Sequence, residues 1–139
     1  MSLWILDTDT LSLFLHGDSN VCQRVGNTGP DELAVTVITV EEVLTGWYAE
    51  IRRARRDDQL VRAYAALQEA VEFFRFVRIL PFDDLAARRS HELRRQHRRL
   101  GTSDLRIALI ALAHLGAVVT RNQGDFGLVD GLVIEDCSA

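Results

Sequence analysis

Residues 33–40 read Leu33-Ala34-Val35-Thr36-Val37-Ile38-Thr39-Val40 and run directly into Glu41-Glu42. A stretch this apolar and β-branched is the strongest strand signal in the chain, because such side chains pack well on a pleated surface and lose rotamer freedom in a helix. A helix is expected to follow from about Glu41. Leu3 to Leu6 is a shorter run of the same kind, ending at Asp7 and leading into a predicted helix over Thr8–Leu15, with Gly17-Asp18-Ser19-Asn20 as a turn. Leu60, Tyr64, Leu67, Val71 and Phe74 step by 4, 3, 4 and 3 and form one helical stripe. Phe76 to Leu80 reads as a short strand stopped by Pro81, and Asp84 to Leu100 as a polar, arginine-rich helix broken by Gly101. Leu105 to Leu115 is apolar almost all round and should be a buried helix, with Gly116 in its C-cap region. Ala117–Thr120 is a further core strand and Leu132-Val133-Ile134 a short edge strand. Strands alternating with helices place the chain in the α/β class, a mostly parallel central sheet sandwiched between helices.

The 139 residues suit one domain spanning 1–139, with 47% apolar and 26% charged residues and no internal repeat or linker. No apolar run approaches the roughly 18 residues that span a bilayer. The opening Met1-Ser2-Leu3-Trp4 lacks the pattern of a secretory signal. Cys22 and Cys137 are too few and too far apart for a disulfide framework or a zinc site. A cytoplasmic protein, with no membrane partner, is the expectation. The net charge of −4 conceals an asymmetry: there is no lysine, and fourteen of the sixteen arginines lie between Arg52 and Arg106. That segment carries eight acids and a net +6, whereas residues 1–51 carry −7 and residues 107–139 carry −3. A basic middle between acidic ends points to an anionic partner, although a solvated arginine-rich helix face explains the composition equally well.

In open parallel sheets, ligands bind beyond the carboxyl ends of the strands. The first run ends at Asp7, with Asp9 two residues on; the second ends at Glu41-Glu42; the last ends at Thr120-Arg121-Asn122, followed by Asp125. Asp104 opens the most buried helix. Four acidic positions from distant parts of the sequence thus converge on one sheet edge. Carboxylates brought together repel and resist desolvation unless a cation compensates. An all-oxygen cluster suits Mg²⁺ or Mn²⁺, and such ions can activate a water and stabilise the leaving oxygen of a phosphodiester. Each acid also has an ordinary local role: Asp7 as a helix N-cap, Asp104, Glu41 and Glu42 as first-turn acids, Asp125 as a turn residue. Those roles explain each acid singly but not their common edge. His114 reads as a core histidine, His91 and His97 belong to the arginine-rich helix, and His16 lies in a turn. Phe73, Phe74 and Phe76 read as core. No Ser-His-Asp or Cys-His arrangement and no glycine-rich phosphate loop is legible.

The stretches Ile5-Leu6-Asp7-Thr8-Asp9, Val37-Ile38-Thr39-Val40-Glu41-Glu42-Val43, Asp104-Leu105-Arg106-Ile107-Ala108 and Val119-Thr120-Arg121-Asn122-Gln123-Gly124-Asp125-Phe126 together resemble the PIN-domain ribonucleases. Within them the VapC-like toxins of toxin–antitoxin pairs are the most similar group. The resemblance covers the whole chain. It implies a PIN-like α/β/α sandwich and a Mg²⁺-dependent endoribonuclease, with Asp7, Glu42, Asp104 and Asp125 as metal-binding acids. Asp9 and Asn122 would stand behind them, fixing substrate and water. The family pattern favours Glu42 over Glu41. Two departures are Asp9, where asparagine is usual, and Gly101-Thr102-Ser103 before Asp104. The resemblance also implies a homodimer neutralised by a cognate antitoxin. Arg52, Arg53, Arg55, Arg56, Arg94, Arg95, Arg98 and Arg99 would then grip RNA phosphates or that antitoxin.

Two rival readings stand beside it. Ile5-Leu6-Asp7-Thr8-Asp9-Thr10 also matches the opening of haloacid-dehalogenase-like phosphatases, with Asp7 as nucleophile and Asp9 as general acid. Gly124-Asp125 followed by Asp130 resembles their late metal motif. That family normally needs a lysine, which is absent, and the reading leaves Glu42 and Asp104 idle. The other rival is a non-catalytic PIN scaffold that binds RNA or protein.

Overall fold

The structure, a computed structural model, describes residues 3–136. Met1, Ser2 and Cys137 lie outside the described residues. In chain order the elements are β1 (Trp4–Leu6), α1 (Thr8–Leu15), α2 (Ser19–Gly26), β2 (Leu33–Thr36), α3 (Val37–Arg53), α4 (Asp57–Phe74), β3 (Arg78–Leu80), α5 (Asp84–Gln96), α6 (Thr102–Ala113), β4 (Ala117–Val119), α7 (Gln123–Phe126) and β5 (Val133–Glu135). The five strands form one parallel sheet in the order β3-β2-β1-β4-β5. Side chains of successive strand residues point to opposite faces, and the core divides accordingly. Ile5, Ala34 and Val118 join α6 on one face, while Leu6, Val35 and Val119 join Leu11 of α1, Val21 of α2 and Val43 of α3 on the other. The result is a three-layer α/β/α sandwich. No helix among the described residues is long and apolar enough to cross a membrane.

The stretch Leu33–Val40 divides differently from its sequence reading. The strand ends at Thr36, and Val37-Ile38-Thr39-Val40 is already the first turn of α3. The Thr36 hydroxyl accepts from the Thr39 amide at 3.2 Å and caps the helix. A cap placed mid-run overrides the β-propensity of the residues after it. Glu41 and Glu42 therefore sit beyond the first turn of α3 and are not first-turn acids. The turn Gly17–Asn20 is shorter than expected, because Asp18 caps an unanticipated helix, its Oδ1 accepting from the Val21 amide at 3.0 Å.

Other boundaries shift for similar reasons. The strand read over Phe76–Leu80 begins at Arg78, leaving Phe76 outside the core at 81% exposure. The arginine-rich helix stops at Gln96, four residues before Leu100. The buried helix starts earlier and ends earlier than Leu105–Leu115, and His114 is its half-buried C-cap. Leu115 follows at φ 53°. Gly116 is required by close approach, since a Cβ there would meet Ile5 Cδ1 at 2.6 Å. The stripe on α4 is helical, but Leu60, Tyr64 and Val71 face solvent while Ala63 and Ala70 are buried. Small alanines let α4 lie close against α3, so the packed face is the less conspicuous one.

Candidate active site at the carboxyl edge of the sheet

The chain winds from β1 outward through β2 to β3, then returns to the other side of β1 for β4 and β5. The crevice between β1 and β4 is thus the topological switch point, where α/β sheets bind ligands. Asp7 follows β1 directly, and its amide donates to the Val119 carbonyl at 3.1 Å, tying it to the end of β4. Glu42 comes from α3. The segment α6 must carry the chain back to the start of β4, so its N-terminus, with Asp104 in the first turn, lies at the same edge. Asn122 follows β4 at the N-cap position of the short helix α7, which carries Asp125 and replaces the expected turn.

Asp7 is buried at 5% exposure, and it is also the N-cap of α1: Oδ1 accepts from the Thr10 amide at 2.9 Å. Capping and site membership therefore fall on the same carboxylate. Burial raises the Asp7 pKa above the usual aspartate range. The Thr120 hydroxyl and Thr10 oppose that shift, and the charge of Asp9 adds to it. Fully buried Thr120 also accepts from the Asn122 amide at 2.8 Å. The Thr10 hydroxyl, buried beside Asp7, makes no well-formed hydrogen bond. Half-buried Glu42 accepts from the Thr8 hydroxyl at 2.6 Å, and Thr8 contacts the Thr39 hydroxyl at 3.1 Å. Its neighbour Glu41 is exposed. The Asn122 side-chain amide donates to Asp125 Oδ2 at 3.0 Å.

Asp104 integrates the cluster. Its pKa is pushed up to about 6, first by burial and then by the charges of Asp7, Glu42, Asp125 and Asp9. These five carboxylates share one electrostatic neighbourhood. Asp9, exposed on the first turn of α1, stands at its rim. Among the described residues, no three Asp, Glu, His or Cys side chains converge closely enough to form a ready-made metal cage. The donor set nonetheless suits a hard divalent cation: it is all oxygen, and its carboxylates repel one another. The protein frame holds an oxygen of each of three acids: Asp7 Oδ1 accepts from the Thr10 amide, Glu42 Oε1 from the Thr8 hydroxyl and Asp125 Oδ2 from the Asn122 side chain.

Two grooves open on the cluster. One of about 480 Å³ runs from Glu42 and Thr8 past Ser12, His16, Trp47 and Glu50. The other, of about 460 Å³, runs from Asp125 past Leu128 to Arg95, His97, Arg98 and Arg99. The sequence grouped Arg52, Arg53, Arg55 and Arg56 with these arginines, but they lie elsewhere. Arg52 is ten residues beyond Glu42, roughly 15 Å along α3. Arg53 pairs with Glu50, and Arg56 and Arg62 pair with Asp58 at 3.0 and 2.9 Å. Arg94 is not a free surface cation. Its guanidinium donates to the carbonyls of His97, Arg98 and Leu100 and to the Thr102 hydroxyl. Sequence reasoning gave no role to Thr8, Thr39 or Thr120. The only available signal was spacing, since Thr39 stands three residues before Glu42 and shares its helix face.

Residues 5–132 match the PIN domain family, and the chain belongs to it. No curated protein matches the sequence. Among solved structures, the chain is similar to FitAB bound to an IR36 DNA fragment, at 23% identity and a TM-score of 0.79, covering 99% of this chain and 96% of that one. DNA-bound VapBC from Salmonella typhimurium is similar at 24% identity and a TM-score of 0.77, covering 98% of both chains. The toxin–antitoxin protein VapBC-5 from Mycobacterium tuberculosis is similar at 26% identity and a TM-score of 0.62, covering 98% of this chain and 99% of that one. Membership of the PIN family sets the phosphatase reading aside, which would leave Glu42 and Asp104 idle although both charges act on the same site as Asp7.

Proposed function

We propose that this PIN protein is a metal-dependent endoribonuclease and the toxin of a toxin–antitoxin pair. The observation that carries the reading is the convergence of Asp7, Glu42, Asp104 and Asp125 at the switch point, where burial first and the neighbouring carboxylates next push the Asp104 pKa up to about 6. A divalent ion, Mg²⁺ or Mn²⁺, would neutralise that field, polarise a phosphodiester and make bound water acidic. Asp7, Glu42, Asp104 and Asp125 would hold the ion. Thr8 and Thr39 orient Glu42, Thr120 and the α1 N-terminus orient Asp7, and Asn122 orients Asp125. Asp9 and Asn122 would steer the substrate or the attacking water. The antitoxin assignment is supported by the similar structures, which are of toxin–antitoxin assemblies. A homodimer is part of the same reading.

The test is incubation of the purified protein with end-labelled single-stranded RNA, with Mg²⁺ and with EDTA. Cleavage that needs the metal and disappears in Asp7→Asn is expected; RNA left intact in both conditions contradicts the reading and favours a non-catalytic scaffold. Co-expression with the protein from the adjacent reading frame should suppress the activity, and light scattering should give twice the chain mass.

A further inference from the structure

We infer that the groove walled by Arg95, Arg98 and Arg99 seats the phosphodiester backbone of the substrate strand as it leaves the carboxylate site, and that Arg94 is a positioning residue which shapes that wall. The inference rests on the nuclease reading and adds to it the path of the strand and the residues that hold it.

The helix α5 ends at Gln96, and His97 takes a non-helical conformation at φ −131° and ψ 69°. The loop 97–100 must then satisfy carbonyls that no helix serves. Arg94 reaches forward and does so. One guanidinium nitrogen lies 2.6 Å from the Leu100 carbonyl and 3.4 Å from those of His97 and Arg98, and the other 3.1 Å from the Thr102 hydroxyl. The planar, five-donor guanidinium is the side chain that can bridge so many acceptors at once. Leu100, 5% exposed, anchors the far end of the loop in the core. Between these fixed points Arg98 and Arg99 project with Arg95 into the groove that ends at Asp125. None of the three forms an ion pair among the described residues.

The charge of the two grooves decides which one a polyanion follows. The groove past Trp47 is lined by Glu42 and by Glu50, the latter already paired to Arg53, and offers phosphate no guanidinium. The groove past Arg98 offers unpaired guanidinium groups, suited to bidentate phosphate contacts. One groove reaches the cluster at Glu42 and the other at Asp125, so a strand bound at the site leaves most favourably on the arginine side. An acidic peptide is the rival occupant.

The experiment measures binding apart from catalysis, by fluorescence anisotropy of a labelled single-stranded RNA on the Asp104→Asn protein over a range of NaCl concentrations. Adding Arg98→Gln and Arg99→Gln should weaken binding at least tenfold at low salt. It should also lower the slope of log K against log salt by about 1.4, since each single-strand phosphate contact contributes about 0.7. In the otherwise unchanged protein the same pair should raise KM for RNA while leaving turnover of bis(p-nitrophenyl) phosphate, too short to reach the groove, unaltered. Arg94→Lys, which keeps the charge but not the fork, should raise KM for RNA in the same way with kcat unchanged. Arg75→Gln, an exposed arginine on the far end of α4, serves as the charge-matched control and should change nothing. Wild-type protein that cleaves RNA while Arg98→Gln/Arg99→Gln keeps both affinity and salt slope overturns the groove and leaves the nuclease reading intact. No RNA cleavage by the wild type overturns both. Loss of binding to poly-glutamate with RNA affinity retained overturns the proposal in favour of an acidic peptide.

Discussion

The two arginine clusters of this chain have almost the same composition and opposite surroundings. The cluster Arg52–Arg56, at the turn from α3 to α4, sits among its own acids, and Arg53 and Arg56 are paired to Glu50 and Asp58. The cluster Arg94–Arg99, at the turn from α5 to α6, has no acidic partner among the described residues. It spends Arg94 on backbone carbonyls and presents the rest beside Asp125. A count of charges along the sequence treats both as one basic middle. What separates them is the nearest neighbour: a paired arginine adds little field at a distance, whereas an unpaired one beside the carboxylate cluster keeps its field for an approaching anion.

Variants in these regions should differ in the size of their effect. Orientation of the acids is the largest. Thr8→Val removes the donor to Glu42, and a 10- to 100-fold fall in RNA cleavage is expected, about the usual cost of losing such a supporting contact. If cleavage by this variant stays at the wild-type rate, the hydroxyl does not position the acid. The contrast between the clusters comes next. Arg52→Gln with Arg55→Gln should shift KM for RNA by no more than about twofold, because exposed charges more than a Debye length of about 10 Å from the site are largely screened at 0.1 M salt. An effect as large as that of Arg98→Gln/Arg99→Gln would erase the distinction.

A smaller effect concerns pH. Asp104 ionises near its ordinary 3.8 in the unfolded chain and near 6 in the fold. Between those values the folded form binds more protons, so stability of the metal-free protein falls as pH rises from about 4 to 6 and does not recover above. Asp104→Asn, which removes the charge, should raise the thermal midpoint by a few degrees at pH 7.5 and leave it unchanged at pH 4. A lower midpoint at pH 7.5 would mean the cluster is not repulsive. The smallest effect lies far from the site. Leu115, 86% exposed at φ 53°, occupies the left-handed region at the end of α6. Leu115→Gly should stabilise by about 1 kcal/mol in denaturant unfolding, with cleavage unchanged, the left-handed conformation costing an ordinary residue roughly that much.

Much of the site was legible because strands buried on both faces announce themselves, and the residues that follow them lie at one edge. Asp7 and Asp125 could be placed that way, and Asp104 by opening the most apolar helix. Thr36 shows what was hidden: nothing in LAVTVITV marks it as the cap that halves the strand, because a hydroxyl that ends a strand looks like any threonine inside one. Arg94 was hidden for a related reason. Whether an arginine meets phosphate or its own backbone depends on where the helix stops, and Gln96, where it does stop, carries no proline or glycine to say so. The exposed Tyr64 and Val71 on α4 follow the same logic, since periodicity identifies a helix but not the neighbour it packs against. Glu42 lay between the two cases. Spacing alone left it level with Glu41, and only the helix start at Val37 turns one toward Thr8 and the other outward.

The nuclease reading requires that the carboxylates at the switch point hold a divalent cation. The direct measurement is calorimetric titration of Mn²⁺ into the metal-free protein at pH 7.5, alongside Asp104→Asn and Asp7→Asn. The account predicts saturable binding by the wild type, accompanied by a rise in thermal midpoint, and loss of binding in both variants. Wild-type protein that takes up no Mn²⁺, or variants that bind it as tightly as the wild type, would contradict it.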